Sequence, residues 1–527
     1  MESKTFCATM LGLEVVTVTV EVDISVGIGI HLVGLPDSAV RESLLRVGTA
    51  LQTYGFRMPG RKIVVNLAPA DIRKEGSSFD LAIAIGIMAS SGQAYVPLKE
   101  RFIIMGELAL NGEIRPVTGA LPVAIHALEK GFAGCIFPYG SAFEAREIDG
   151  IEIYAVGKLA DVLDILDDNV DSSRYLVCNC DPAGGPGPGS FPSPDGNHCR
   201  RAAAPDRHDF REVRGQAAAK RGLEIAAAGG HNLLMVGSPG SGKSMMAACI
   251  PSILPPMSRE ESLETSKIYS IAGKSAGTGG LMRERPFRTP HHTASTVALI
   301  GGGSNAMPGE ISLAHNGVLY LDEMAEFPRS SLEVLRQPLE DGKITISRSR
   351  YRITYPASFM LIASMNPCPC GYFGVDDRCR CTPAERMRYF ARISGPMMDR
   401  IDMHIMVHPV ESARLVDDTE SEPSSAIASR VAKARAVQRE RFGEEGIFTN
   451  SQMDAALIRK YCPLDAVKRK YLEDIIRKLR LSARSYGRIL KLSRTIADLD
   501  GANFISLEHI SEAVRFREMD RNDKIYG

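Results

Sequence analysis

Polar and apolar residues alternate with a period of two over Val15 to Val22, Lys62 to Leu67 and Arg101 to Met105. Between these segments, Asp37 to Tyr54, Leu81 to Ser90 and Val123 to Glu129 repeat at helical spacing. A period of two puts successive side chains on opposite faces of a strand, and a period near 3.6 gathers them on one helix face. Residues 1–168 are therefore expected to form a compact α/β or α+β domain. Further on, unbroken apolar runs replace alternation: Leu233 to Val236, Gly317 to Leu321 and Phe359 to Met365. Such runs read as buried strands, and they predict a second α/β unit over 210–412. Lys343 to Tyr355 alternates like two strands around a short turn. The last segment, 413–527, is rich in helix formers and Lys/Arg, with an apolar period near 3.6 in Tyr471 to Leu481 and Ile489 to Leu499, and reads as a helical domain.

Composition adds boundaries to this pattern. Residues 169–209 include Pro182-Ala183-Gly184-Gly185-Pro186-Gly187-Pro188-Gly189, which cannot build a core and reads as an interdomain linker. An acidic, Ser-rich joint at Asp417 to Ser425 separates the second α/β unit from the helices. No short-period repeat is present. Lys+Arg and Asp+Glu both number 63, so any contact with nucleic acid must come from a local patch, not from a global basic field. The 11 cysteines are odd in number, and four fall within fourteen residues, which suits a reducing compartment better than a disulfide framework. Met1-Glu2-Ser3-Lys4 lacks a secretory pattern, and no apolar run approaches the ~18–20 residues a membrane span needs. The expectation is a cytoplasmic protein with no membrane partner.

Gly237-Ser238-Pro239-Gly240-Ser241-Gly242-Lys243-Ser244 fits G-x-x-x-x-G-K-[ST] and lies between a buried strand and a helical pattern that starts at Lys243. Glycines there let backbone N–H groups wrap phosphates. Lys243 would neutralise the β/γ-phosphates and Ser244 would hold Mg²⁺. A second acid for the metal is expected, and the strand ending in Asp322-Glu323 supplies one. Asp322 would reach Mg²⁺ through water, and Glu323 would polarise the attacking water. The strand Phe359 to Met365 runs into Asn366, whose side chain could reach between Glu323 and the γ-phosphate.

These residues together resemble the AAA+ ATPases. The wording of several motifs is similar to one branch, the magnesium-chelatase-like ATPases of the ComM (YifB) family. The matching phrases are Arg214-Gly215-Gln216, Ala226 to Asn232, Pro290-His291-His292-Thr293, Pro308 to Gly317, Leu335 to Glu340 and Ser394-Gly395-Pro396, and the resemblance as a whole covers nearly the whole chain. The resemblance implies ATP and Mg²⁺ as cofactors, an AAA+ P-loop αβα core and a C-terminal helical lid. It also implies that Asn366 is sensor 1, Arg400 the arginine finger and Arg484 the sensor 2 arginine, with Arg488 close enough to be mistaken for it. An arginine finger must reach a phosphate held by the neighbouring subunit, so the active unit would be a ring, a homo-hexamer. Otherwise Arg400 would be a surface partner of Asp399 or Asp402.

Arg348, Arg350 and Arg352 cluster near the tip of the 343–355 hairpin. In the family's relatives a hairpin here projects into the ring's pore, where guanidiniums could grip a DNA backbone without reading sequence; the alternative is a merely solvated charge run. A second insertion around Phe287 to Gly309, with His291 and His292, is another candidate pore loop. Cys368-Pro369-Cys370 and Cys379-Arg380-Cys381 form C-x-C, eight residues, C-x-C. Four thiolates could close a structural Zn²⁺ site there, or remain free reduced thiols. Cys178, Cys180, His198 and Cys199 in the linker could form a looser cluster.

Lys74 to Ser78, Gly106-Glu107-Leu108 and Gly112 to Val117 resemble the Lon protease domain, which implies a ribosomal protein S5 domain 2-like fold for the first domain. Lon-type proteolysis needs a Ser–Lys dyad. Ser78 could correspond to the nucleophile, but the lysine position falls near Val123, which cannot accept a proton, so the expectation is a retained fold without peptidase activity. The function the whole resemblance implies is an ATP-driven DNA motor, a helicase or branch-migration enzyme that promotes integration of incoming single-stranded DNA during natural transformation, with recombination proteins as partners. A magnesium-chelatase ATPase subunit and a remodeller of protein complexes are the rival readings.

Overall fold

The computed structural model describes residues 2–177, 208–275, 280–303, 306–347, 352–374, 378–410, 421–479 and 483–517; of Ala483 and Arg484 it describes the backbone alone. The first domain is a seven-stranded mixed sheet in the spatial order Ile30–Val33, Lys62–Ala68, Glu14–Ser25, Glu2–Leu11, Phe102–Ile104, Gly134–Pro138 and Glu152–Val156. The alternation that predicted its longest strand places Val18, Val20, Val22 and Ile24 inside, with Thr19, Glu21 and Asp23 on the other face. Helix Asp80–Ser90 is buried along almost its whole length. It can lie this close because Gly86 has no Cβ: one added there would sit 2.7 Å from Val22 Cγ2. The domain reaches beyond residue 168. Tyr175 is buried and Val177 N donates to Ile153 O at 2.8 Å, so 169–177 packs on the sheet, contrary to the linker reading of that stretch. An aromatic ring gains more from burial than a loop position offers.

The second unit is a five-stranded sheet, all parallel, in the order Phe287–Arg288, Val318–Leu321, Met360–Met365, Leu233–Gly237 and Met403–Val407. Both faces are covered, with Leu233, Met235, Ile362 and Ile405 in one core and Leu234, Val236, Leu361 and Ala363 in the other. That is why these strands read as unbroken apolar runs. Parallel strands bring their carboxyl ends to one edge, where an open α/β sheet forms its crevice. The 343–355 hairpin pairs Lys343–Ser347 with Arg352–Pro356. Its Ile353 packs against Gly12, at the tip of the first hairpin of the N-terminal domain. The two domains also meet through Gly119 N to Ser270 O at 3.2 Å, Ser270 Oγ to Glu144 at 2.6 Å and Arg259 to Asp149 at 2.7 Å.

The C-terminal helices Ser424–Arg441, Ala455–Tyr461, Ala466–Leu479, Ala483–Leu499 and Leu507–Arg515 share a core with helix Ala217–Gly229. They dock on the amino-terminal edge of the sheet. Arg435 donates to Ala227 O at 2.8 Å, Gln438 to Ala228 O at 3.0 Å and His231 Nε2 lies 2.8 Å from Thr495 Oγ1. Among the described residues, none of 421–517 bonds to 237–244. The helical unit thus sits behind the crevice within its own chain and does not lie over it as a lid.

Candidate functional site

The crevice is built from strand ends. Leu233–Gly237 leads into the glycine-rich loop, and helix Lys243–Cys249 starts at its end. Gly240 and Gly242 have φ of +77° and +88°, a left-handed conformation that costs other residues energy, and no atom lies within 4 Å of where a Cβ would point. Lys243 is 8 % exposed, and its ammonium donates to the carbonyls of Gly237 at 2.6 Å and Ser238 at 2.8 Å. Burial pulls its pKa down, against the charges of Asp322 and Glu323 that favour the ammonium.

Across the sheet, strand Val318–Leu321 ends at Asp322. Ser244 Oγ donates to Asp322 Oδ2 at 3.0 Å, and Asp322 Oδ1 accepts from Tyr320 at 2.9 Å and Ser364 at 2.5 Å. Burial would raise the Asp322 pKa, but the donors Ser364, Tyr320, Ser244 and the Glu323 N–H outweigh it and keep the carboxylate ionised, as a cation ligand requires. Glu323 is exposed and has a left-handed backbone, φ 51°, held by its N–H to Asp322 Oδ1 at 3.1 Å and Ser364 Oγ at 3.3 Å. A non-glycine residue held there is strained, and such strain gathers where a side chain must be aimed. Asn366 follows strand Met360–Met365, which lies between the strands bearing Lys243 and Asp322, so Lys243, Ser244, Asp322, Glu323 and Asn366 meet at one edge.

Sequence reasoning missed Ser364 and Tyr320, which fix the Asp322 carboxylate. The available signal was a hydroxyl inside an otherwise apolar strand, since a buried polar group needs a partner. Arg400 is 10 % exposed and is not paired to Asp399 or Asp402 as the surface alternative supposed: its guanidinium pairs with Glu340 and donates to Arg336 O at 3.2 Å and Pro396 O at 2.6 Å. Asp402 instead faces inward, 3.4 Å from Arg488 Nε and 3.6 Å from His231 Nδ1. It precedes strand Met403–Val407, so Arg488 lies at the sheet's amino-terminal edge, away from the phosphate loop. Arg484 begins helix Ala483–Leu499 one turn earlier.

Arg352 is exposed at the start of its strand; Arg348 and Arg350 lie outside the described residues, as do Cys178, Cys180, His198 and Cys199. His291 bonds Thr293 Oγ1 at 2.8 Å, and its ring lies 4.1 Å from that of His292. The Sγ atoms of Cys368, Cys370, Cys379 and Cys381 all lie within 4.8 Å of one another. In the N-terminal domain the polar groups in and near the Lon-like segments hold each other: Ser77 donates to Glu107, and Asp80 accepts two bonds from Arg46 at 2.7 and 3.0 Å. Lys74, the lysine nearest Ser78 along the chain, turns its ammonium to the carbonyls of Pro69 and Ile72, and Val123 is buried in helix Ala120–Glu129.

A parallel sheet flanked by helices, with a glycine-rich loop leaving one inner strand and an acid-ended strand two places away, defines the class as an AAA+ P-loop protein. Family profiles agree: magnesium chelatase, subunit ChlI, matches residues 209–415; subunit ChlI of Mg-chelatase matches 20–141; and the ChlI C-terminal profile matches 421–517. The uncharacterized protein YifB of Salmonella typhimurium is 40% identical over 494 residues, covering 93% of this chain and 92% of that protein. The competence protein ComM of Haemophilus influenzae is 40% identical over 493 residues, with the same coverage of both chains. Lon protease 2 of Bacillus subtilis is 33% identical over 128 residues, 24% of this chain and 23% of that one. The chain belongs to the magnesium-chelatase-like ComM/YifB family of AAA+ proteins, an ATPase family that uses ATP and Mg²⁺. No helix among the described residues is long and apolar enough to cross a membrane.

Proposed function

We propose that this protein is an ATP-hydrolysing ring motor that moves DNA, in the manner of a helicase or branch-migration enzyme, and promotes integration of incoming DNA in natural transformation and recombination; one of its relatives is named a competence protein. The convergence of Lys243, Ser244, Asp322, Glu323 and Asn366 on one sheet edge carries the reading. Phosphoryl transfer needs little covalent chemistry from a protein and much positioning of charge. The loop amides and Lys243 bind the β/γ-phosphates, releasing the lysine from the Gly237 and Ser238 carbonyls. Ser244 and Asp322 hold Mg²⁺, Glu323 orients the water and Asn366 senses the γ-phosphate.

Arg400 acts in trans. Its guanidinium leaves Glu340 and reaches the γ-phosphate bound by the adjacent protomer of a hexamer, and Arg484, on a helical domain that sits behind its own crevice, likewise serves an adjacent protomer's nucleotide. Arg348, Arg350 and Arg352 grip phosphates of the DNA in the pore, and one structural Zn²⁺ sits on Cys368, Cys370, Cys379 and Cys381. The test is ATP turnover with single-stranded DNA, forked DNA or unfolded protein added, followed by displacement of a labelled strand with Lys243→Ala as control. Stimulation by DNA and displacement by the unaltered chain are expected. Stimulation by polypeptide alone would replace the DNA motor with a protein remodeller.

A further inference from the structure

Sequence places the four cysteines in two pairs, and the fold gives each pair a different anchor. Cys368 and Cys370 follow the strand Met360–Met365 just past Asn366, whereas Cys379 and Cys381 lead into helix Pro383–Phe390, which Thr382 and Glu385 cap reciprocally. That helix runs on towards Arg400. The Sγ atoms of Cys368 and Cys370 are 3.3 Å apart, those of Cys368 and Cys379 3.8 Å, and those of Cys370 and Cys379 3.7 Å. A tetrahedral Zn²⁺ with Zn–S bonds of about 2.3 Å spaces its sulfurs about 3.8 Å apart. Four soft thiolates in that arrangement suit zinc and discriminate against Mg²⁺.

The turn closed by the first pair touches the phosphate loop. Gly371 N donates to Cys368 O at 3.0 Å, and Gly371 has φ of +86°. A Cβ at Gly371 would lie 2.7 Å from Pro239 Cδ and 2.9 Å from its Cγ. Pro239 is the third residue of the loop that would wrap the phosphates, so the cysteine turn and that loop are in van der Waals contact with no room for a methyl group. On the other side Arg386 stacks on Phe373, 3.9 Å from the ring centroid, which ties the turn to the capped helix.

We propose that Zn²⁺ bound by Cys368, Cys370, Cys379 and Cys381 makes this turn a strut against Pro239, so that metal occupancy sets the affinity of the phosphate loop for nucleotide. The inference rests on the reading of 237–244 as the nucleotide site. Zinc joins the arm that follows Asn366 to the helix that leads to Arg400, and it fixes Gly371 where the loop must rest. Without metal the two arms are free to part, and the loop loses its support on that side. Coupling of this kind is reciprocal: whatever factor zinc adds to nucleotide affinity, nucleotide adds to zinc affinity.

The experiment uses the full chain and three measurements. Elemental analysis is expected to give one zinc per chain, and none in Cys379→Ser; no zinc in protein purified without chelator overturns the metal site. Binding of a fluorescent ATP analogue is expected to weaken roughly five- to tenfold on zinc removal, to recover when zinc is returned, and to slow stripping of zinc by a chelator in the intact protein. Zinc loss with unchanged nucleotide affinity overturns the strut. Gly371→Ala keeps all four thiolates; its left-handed backbone and the clash with Pro239 should lower the thermal midpoint, but one zinc retained per chain shows that the cysteine turn still folds, and nucleotide should then bind several-fold more weakly. Gly371→Ala with zinc and nucleotide affinity both intact also overturns the strut. Zinc bound in a chain that takes up no nucleotide, with Lys243→Ala no different, overturns the nucleotide site and leaves the metal site standing.

Discussion

The two sheets of this protein treat their polar residues in opposite ways. In the N-terminal sheet, charged and hydroxyl groups near the Lon-like segments are paired off: Asp80 with Arg46, Ser77 with Glu107, and Lys74 with two carbonyls. In the parallel sheet, the equivalent groups are held at the strand ends and aimed outwards, Asp322 by four donors and Glu323 by a strained backbone. A fold alone therefore does not make a site. What separates the two regions is whether the polar groups complete one another or are positioned for something that is yet to bind.

The sharpest way to test that contrast is to remove the positioned groups. Lys243→Ala is expected to lower ATP turnover by at least about a hundredfold, because a cation aimed at transferring phosphates typically contributes that much. Steady-state phosphate release measures it, and turnover within a factor of two of the unaltered chain would erase the contrast. Glu323→Gln should leave nucleotide binding intact while slowing hydrolysis by roughly 10² or more, since the amide orients water but does not accept its proton. A loss of binding instead would make Glu323 a structural residue like Asp80.

A middle case joins the helical domain to the back of the parallel sheet. Asp402 is mostly withdrawn from solvent, its side chain 14 % exposed, which would raise its pKa, but the His231 hydrogen bond and the charges of His231, Arg488 and Lys491 hold it down at about 2. A carboxylate whose folded pKa lies below its unfolded value stabilises the fold above that unfolded value. The contribution is lost as pH falls from about 4 towards 2, and a shift of this size is worth about 2 kcal/mol. Asp402→Asn should lower the thermal midpoint at pH 7 and flatten the acid limb between pH 4 and 2. An unchanged acid limb would show that the buried pair is not what docks the helices there.

Much of this was legible in the chain because buried parallel strands leave an apolar run, and a glycine-rich loop between such a run and a helix has few other uses. Lys243 and Asp322 are therefore readable as a pair although 78 residues separate Ser244 from Asp322. The partners that hold the acid were harder to see. Ser364 is one hydroxyl in a strand of six residues, and only the register of Val318–Leu321 against Met360–Met365 brings it to Asp322. Glu340 as the mate of Arg400, and Gly371 against Pro239, depend on how separate loops fold back, which periodicity does not encode. The placement of the helical domain behind the crevice was equally hidden, because an amphipathic face names no partner surface.

The smallest expected effect is the one that tests the other half of the contrast. Ser78 stands where the Lon-like pattern puts a nucleophile, but a hydroxyl becomes one only when a base takes its proton. Lys74 is turned to Pro69 and Ile72, burial lowers its pKa, and the position near Val123 holds an aliphatic side chain. Ser78→Ala should therefore change ATP turnover by less than a factor of two and stability by no more than about 0.5 kcal/mol, as surface-near substitutions outside a polar network do. Incubation of the unaltered chain with casein and ATP should release no peptides. Peptide release that disappears in Ser78→Ala would mean that a base reaches this hydroxyl after all, and that the N-terminal sheet, like the parallel one, holds its polar groups ready for a substrate.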